Sequence, residues 1–199
     1  MNKVEDVMAK EHGPEFWKLE RLLRGVMFDE LGGCINFVEG QIIDFDDRND
    51  TEHQHRYGPP TQIAFVLMCV ARMETGLKQI CDMVRAARNY NVHWNDLTGG
   101  GGFQSCINYF DKVLQVPIPK DELSHIRSVV ELRNRWVHHD GYVEKLPTNL
   151  RSVEPHVDIV DGRLVALESL AQAVCASCKS FVEVVARAVD SQPFVNLGK

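Results

Sequence analysis

The feature that most restricts how this chain can fold is a regular stripe of apolar residues that follows Pro59-Pro60. Large apolar side chains recur there at intervals of three and four positions, at Ile63, Val66, Val70, Met73, Leu77, Ile80 and Val84. An α-helix has about 3.6 residues per turn, so this spacing places all of them on one side. The pattern therefore predicts a helix that begins at the two prolines, runs to about Tyr90 and buries one face.

The remaining sequence predicts further helices joined by polar segments. A long, mostly helical first segment is expected from about Pro14 to the polar run DFDDRNDTEHQHRYGPP, with a kink or break at Gly32-Gly33. The run NVHWNDLTGGGG is expected to be a loop. Three more helices are then expected: a short one over FQSCINYFDKVLQV, one from Asp121 to near Gly141, and an amphipathic last one from about Glu168 to Val189.

One short stretch favours β structure. The sequence VDIV-DG-RLVAL places two β-rich runs on either side of Asp161-Gly162, and Asp-Gly is typical of a tight type I′ turn. The chain shows no internal repeat and no low-complexity linker. We therefore expect a single domain over residues 1–199, with an all-α fold in which an up-and-down helical bundle carries one small β-hairpin near 157–166.

Composition narrows the class of protein. The chain has 199 residues, of which 44% are hydrophobic and 25% charged, as in ordinary soluble domains. Its formal net charge of -6 argues against broad binding to nucleic acid, which needs a positive surface, but allows a local site for one phosphate. The longest apolar run, IAFVLMCVA, is far shorter than a membrane span, and the N-terminus lacks a signal-peptide pattern. We therefore expect a cytoplasmic protein that contacts no membrane.

An arginine lies within the apolar face of the fourth predicted helix. In the segment VVELRNRWVHHDGYV (129–143), helical spacing places Arg133 near the middle of a broad apolar arc. The arc is formed by Ile126, Val129, Val130, Leu132, Trp136 and Val137. Because arginine keeps its charge in proteins, a guanidinium that faces a core needs an opposite charge or several acceptors. Glu74 is the only acidic residue within the apolar arc of the second predicted helix, so we predict that it pairs with Arg133.

His138, near the end of the same helix, has the placement of an acid/base residue. Asn134 lies one turn before it on the same face, where the amide can hydrogen-bond the imidazole ring and fix one tautomer. Arg133, however, is five residues before His138, so on an unbroken helix the two side chains point roughly 140° apart. Fraying of the helix before Gly141, or a second copy of the chain, would bring Arg133 and His138 into one site.

The pattern Arg133-Asn134-x-x-x-His138 resembles the R-N-x-x-x-H motif of the HEPN superfamily (higher eukaryotes and prokaryotes nucleotide-binding domain), and the trailing His-Asp-Gly is similar to many members. The order of helices also resembles a HEPN bundle, with an acid-bearing second helix, ARMETGLKQICDMV, and the motif on the penultimate helix. The layout covers most of the chain, whereas only the motif matches in specific residues. The resemblance implies one HEPN-like helical domain over 1–199 and a homodimer in which two motifs face each other.

What the resemblance implies about activity is a metal-independent endoribonuclease of the kind found in toxin–antitoxin and phage-defence systems, acting without a cofactor. In such an enzyme His138 would move the proton of the 2′-hydroxyl or of the leaving oxygen, Arg133 would offset charge on the phosphate, and Asn134 would orient both. The product would carry a 2′,3′-cyclic phosphate. RNA would be the substrate, and a cognate antitoxin or regulatory protein would be a further partner. The supporting residues would be Glu74, His139 and Tyr142.

A different interpretation of the same residues stays open at this point. Arg133 and Glu74 can form a buried ion pair that only fixes how two helices pack. In that case the chain is a non-catalytic, HEPN-like interaction or scaffold module, since a fold by itself does not establish an activity. The two interpretations differ in what the loss of the His138 side chain would do to RNA cleavage.

Other motifs favour structural roles. Cys175 and Cys178 have CxxC spacing but lie inside the predicted last helix, so we expect buried, reduced thiols. The same is expected of the remaining cysteines, Cys34, Cys69, Cys81 and Cys106. In EHQH, His53 and His55 are expected to lie in a solvated loop and to bind no metal. The run TGGGGF lacks the lysine and hydroxyl residue of a P-loop, so it is expected to be a connection.

Overall fold

The structure, a computed structural model, describes residues 51–97 and 102–190. These residues form α1 (Thr51–Arg88), a 3-10 helix (Trp94–Asp96), α2 (Gly102–Lys112), α3 (Lys120–His139), a second 3-10 helix (Thr148–His156), β1 (Val157–Val160), β2 (Arg163–Ala166) and α4 (Leu170–Asp190). The prediction of an all-α fold with one small β-hairpin is confirmed. The predicted first helix from about Pro14, with its break at Gly32-Gly33, lies outside the described residues.

The predicted apolar stripe is the buried side of α1. Six of its seven members are fully buried: Val66, Val70, Met73, Leu77, Ile80 and Val84. The predicted start of the helix is wrong, because α1 extends upstream through His53 and His55 and contains Pro59 and Pro60. An interior proline costs a helix about 3 kcal/mol, which is why prolines predict a first turn. Burial of the apolar residues from Val66 onward does not depend on where the helix begins, and nothing in the described contacts explains why the turns before Pro59 are helical.

The helix ends differ from the predictions by a few residues. Helix α1 ends at Arg88, and the next residue, Asn89, has a left-handed φ of 52°. Helix α2 ends at Lys112, four residues before its predicted end. Gln115, with a φ of 53°, then turns the chain. Asparagine tolerates the left-handed region better than most residues, so the stop at Asn89 has a local cause.

Helix α3 ends where the sequence predicts. Asp140 and Gly141 both have left-handed backbone, with φ of 51° and 72°. The Gly141 N–H donates to the Arg135 carbonyl at 3.0 Å, a bond that satisfies one of the carbonyls left open at a helix end. The prediction that Gly141 ends this helix is confirmed, and Asp140 shares the turn.

The β-hairpin follows its predicted turn. Asp161 and Gly162 have φ of 51° and 75°, and positive φ at both positions is the mark of a type I′ turn. Strands β1 and β2 pair antiparallel, with Val160 opposite Arg163 and Val157 opposite Ala166. The segment that follows α3 lies along the outer edge of β2, where the Leu164 N–H donates to the Gly141 carbonyl at 2.9 Å.

The described residues divide into two compact units. One contains 74–97, 102–118 and 182–190, and its fully buried residues include Leu77, Ile80, Tyr109, Phe110 and Val185. The other contains 51–73 and 119–181, and its fully buried residues include Val66, Val70, Leu132, Leu150 and Leu170. The single domain over 1–199 stays a prediction. None of the described helices has the length and apolarity that a membrane crossing requires.

Candidate functional site

The motif residues lie on the C-terminal half of α3, which stays helical through His139. The side chains of Arg133 and Asn134 are partly buried, whereas His138 and His139 are exposed. Because the helix is unbroken here, Arg133 and His138 point roughly 140° apart. Fraying therefore does not bring these two side chains of one chain together, and their combination across two copies of the chain stays a prediction.

Asn134 and His138 share one face of α3. They are four residues apart, so their Cβ atoms lie about 5–6 Å from each other. Arg135, on the next face, forms an ion pair with Glu131 in which Nε and Oε1 are 2.8 Å apart. Arg135 is thus engaged within the helix, and Asn134 is the polar residue one turn before the exposed imidazole of His138.

The hairpin holds the end of α3 that carries His138. Trp136 donates a hydrogen bond from its indole Nε1 to the Leu164 carbonyl at 3.2 Å. A carbon added to Gly141 would come within 2.9 Å of the Trp136 ring, so glycine lets the chain pass under the indole. Asp140 and Arg163 form an ion pair between largely exposed side chains. These contacts fix the helix end, and with it the position at which His138 enters solvent.

Two apolar residues of the predicted arc do not lie in the core. Val137 is 51% exposed and Trp136 is only partly buried, whereas Ile126, Val129 and Leu132 are fully or almost fully buried. The end of α3 is therefore less buried than the part of the helix that contains Ile126, Val129 and Leu132. Tyr142, just beyond the helix, is 58% exposed, with its ring against Gly162. Val137 and Tyr142, close to His138 in sequence, are thus both exposed.

Arg133 is partly buried, as its place on the arc predicts, and its Nε atom is fully buried. Both Arg133 and Glu74 take part in polar interactions. The pairing of Glu74 with Arg133 stays a prediction.

An open pocket of about 470 Å³ lies between α3 and α4 and was not predicted from the sequence. Its lining consists of Asp121, Glu122, His125, Ala176, Ser177 and Ser180. His125 Nε2 is 2.7 Å from Ser177 Oγ, the spacing of a base and a nucleophile. No local motif links these two residues, which are 52 positions apart, so only the packing of two helices could have revealed the pair.

The geometry of Ser177 favours a structural bond over nucleophilic catalysis. Its hydroxyl donates to the Ala173 carbonyl at 2.8 Å, so His125 supplies the proton of the bond between the two side chains. Ser177 also lies in the interior of α4, where backbone N–H groups are used within the helix and cannot bind an oxyanion. The pair therefore ties α3 to α4.

A second group of polar contacts, around His93 at the start of the 3-10 helix that follows α1, is also structural. His93 Nδ1 accepts from the Asn95 N–H at 3.0 Å, so the ring proton is on Nε2, which lies 3.0 Å from Asp82 Oδ1. The same carboxylate oxygen accepts from Trp94 Nε1 at 3.1 Å. Both ring nitrogens of His93 are thus engaged, and the cluster fixes the start of the predicted loop.

The weaker sequence candidates have mixed outcomes. The prediction of buried thiols is confirmed for Cys69, Cys81, Cys106, Cys175 and Cys178, none of which is in a disulfide, while Cys34 lies outside the described residues. The loop predicted for His53 and His55 is wrong, because both are in α1. Within 51–97 and 102–190, no three His, Cys, Asp or Glu side chains are grouped to hold a metal ion.

The motif on α3 thus combines one exposed side chain, His138, with two partly buried ones, Arg133 and Asn134. Its resemblance to the HEPN pattern rests on Arg133, Asn134 and His138. In comparisons with known proteins, no family model, no curated protein and no solved structure matches this chain.

Proposed function

We propose that the protein is a HEPN-type, metal-independent endoribonuclease that cleaves RNA at a site composed of residues from two copies of the chain. The observation that carries the proposal is the placement of Arg133, Asn134 and His138 at the hairpin-braced end of α3. His138 is exposed, and Asn134 lies one turn before it on the same face. A toxin–antitoxin or phage-defence role follows from the same resemblance, and the cytoplasmic location proposed with it rests on the apolar and N-terminal patterns of the sequence.

The chemistry needs one group that moves a proton and one that offsets phosphate charge. His138 takes the proton of the ribose 2′-hydroxyl or gives one to the leaving 5′-oxygen. Arg133, through its cationic guanidinium, offsets the charge that develops on the phosphate oxygens. Attack by the 2′-oxygen on phosphorus breaks the bond to the 5′-oxygen and leaves a 2′,3′-cyclic phosphate.

The roughly 140° between Arg133 and His138 on one helix favours a homodimer over a single copy as the catalytic unit. In such a dimer, Arg133 of one copy and His138 of the other share a phosphate. Val137 and Tyr142, which are near His138 in sequence and exposed, provide apolar area for contact with the second copy or with an RNA base.

The test is RNA cleavage by the purified protein in excess EDTA, with analysis of the product ends. We expect cleavage that survives chelation, leaves cyclic phosphates and is lost in His138→Ala. The matched control is His156→Ala, which removes another surface imidazole, one that contacts Ser169 at 2.8 Å and has no place in the motif. If wild type and His138→Ala are equally inert on total RNA and on transfer RNA, the proposal fails, and the non-catalytic interaction module becomes the better account of Arg133 and Glu74.

A further inference from the structure

Two buried thiols from different helices lie unusually close together in the unit that contains 51–73 and 119–181. Cys69 of α1 and Cys175 of α4 are 106 positions apart in sequence, and their Sγ atoms are 2.6 Å apart. A disulfide bond is about 2.05 Å long, so the two sulfurs are only about half an ångström beyond bonding distance. We propose that Cys69 and Cys175 are a modification site at which a peroxide converts the two thiols to a disulfide that joins α1 to α4.

The neighbouring contacts hold the two helices in place for this bond. The side chain of Gln62, two turns before Cys69, accepts a hydrogen bond from the Ala171 N–H at 2.8 Å, one turn before Cys175. Ala171 belongs to the first turn of α4, whose N–H groups have no partner within the helix, so this bond satisfies one of them. Gln62 is only 8% exposed, and such a buried bond restrains sliding of α4 along α1 near the two sulfurs.

The oxidation balances with one molecule of hydrogen peroxide. One sulfur, as thiolate, attacks a peroxide oxygen, the O–O bond breaks, and a sulfenic acid forms with release of water. The second sulfur attacks the first, the S–O bond breaks, and a second water leaves as the S–S bond forms. Two electrons pass from the two thiols to the peroxide, and a dithiol reductant reverses the change.

Burial determines which oxidant can act. Cys69 and Cys175 are 3% and 2% exposed, so an oxidant reaches them through local opening of the packing. A small, uncharged peroxide enters such an opening more readily than a charged, bulky disulfide does. We therefore expect hydrogen peroxide to be effective and oxidised glutathione to be slow.

A second cysteine pair provides an internal comparison. In the other unit, a hydrogen bond with Cys106, and then burial, raise the pKa of the Cys81 thiol far above its usual range. A thiol that keeps its proton is a poor nucleophile. We therefore expect the Cys81 thiol to stay reduced.

The experiment exposes the folded protein to hydrogen peroxide until its titratable thiol count falls, blocks the remaining thiols by alkylation, and maps the peptides by mass spectrometry without reduction. We expect a cross-linked peptide pair that contains Cys69 and Cys175 and lacks two hydrogens, and its disappearance after dithiothreitol. Because the bond closes a loop of roughly 100 residues, we also expect the thermal midpoint to rise, by on the order of 10 °C.

Cysteine-to-serine variants distinguish this disulfide from oxidation elsewhere in the protein. Cys69→Ser and Cys175→Ser should lose both the cross-link and the rise in thermal midpoint. The matched control, Cys178→Ser, alters a thiol of the same helix that is 1% exposed and should keep both. Three results would overturn the proposal: a thiol count that never falls in the folded protein, cross-links that exclude the Cys69–Cys175 pair, or sulfinic acid at either position in place of the bond. The mapping of the unaltered protein decides between them even if a variant fails to fold.

Discussion

The hydroxyl of Tyr109 makes the stability of this protein sensitive to alkaline pH. Tyr109 is fully buried on α2, and its hydroxyl has no hydrogen-bond partner among the residues that the structure describes. Burial raises the pKa of Tyr109 to about 12, with smaller contributions in the same direction from Cys81 and Tyr90. The folded protein therefore keeps the phenol proton over a pH range in which the unfolded chain loses it.

Tyr109→Phe should remove that sensitivity. Between pH 10 and 12 the unfolded chain binds fewer protons than the folded protein at this position, so the stability of the wild type falls as pH rises. The shift from 10.0 to about 12 corresponds to a loss of roughly 2–3 kcal/mol, which phenylalanine avoids. At neutral pH the variant should be at least as stable as the wild type, because an unsatisfied buried hydroxyl is removed. Urea unfolding of both proteins at neutral pH and at pH 12 measures the difference in their stability. A loss of stability at neutral pH above about 1 kcal/mol in the variant would mean that the hydroxyl is hydrogen-bonded.

Gly141 and Gly162 form a matched pair that separates backbone strain from steric clash. Both have left-handed φ, 72° and 75°, so alanine at either position costs about 1–2 kcal/mol in conformational energy. A Cβ at Gly141 would also lie 2.9 Å from the Trp136 ring, whereas at Gly162 the nearest atom, of Tyr142, is 3.4 Å away. We expect Gly141→Ala to destabilise the protein by about 1 kcal/mol more than Gly162→Ala, as the Trp136 hydrogen bond is lost. Equal losses in urea unfolding would show that the indole moves aside without cost.

The contact between α3 and α4 can be tested with two serines of the same pocket. Ser177→Ala removes the hydrogen bond to His125 and should cost about 1 kcal/mol relative to Ser180→Ala, whose serine is exposed. Both substitutions exchange serine for alanine within α4, so helix propensity favours them equally and cancels. If the two variants unfold at the same urea concentration, the His125–Ser177 bond contributes nothing net to the packing of these helices.

The elements that the sequence predicts well are those with a local cause. The periodicity from Val66 to Val84 predicts the buried side of α1, and Asp161-Gly162 predicts a type I′ turn, because each pattern acts through neighbouring residues. Pro59 misleads because proline only prefers the first turn of a helix, and here the helix continues through it.

What the sequence does not predict are contacts between elements. The motif residues Arg133, Asn134 and His138 form a local pattern that is visible in a single chain. The Cys69–Cys175 pair depends instead on how α1 and α4 pack, over 106 positions of sequence. Val137, which helical spacing places on the apolar arc, is 51% exposed, because helical spacing alone carries no information about where a core ends.

For the molecule as a whole, the proposed action on RNA would require an acidic protein to concentrate its phosphate contacts. The net charge of -6 opposes broad attraction to a polyanion, so binding should depend on a few cationic groups near the motif. The dependence of RNA affinity on salt measures how many phosphates are contacted, with a slope of about -0.7 per phosphate for a single strand. We expect a shallow slope, which corresponds to one or two phosphate contacts, when RNA affinity is measured by filter binding or fluorescence anisotropy between low and moderate salt. A steep slope would place the RNA on a much larger basic surface.

The geometry of α3 also predicts how two inactive variants should behave when combined. If each catalytic site takes Arg133 from one copy and His138 from the other, a dimer of Arg133→Gln with His138→Ala contains one intact site and one site that lacks both groups. Equal mixing with exchange of subunits gives mixed dimers in half of the population, so about a quarter of wild-type cleavage should return. Circular dichroism and light scattering on each variant establish that both are folded and associate. Because α3 is continuous through His139, a site built within one copy has no means of recovering activity in the mixture, and an absence of recovery from two folded, exchanging variants would reject the shared site.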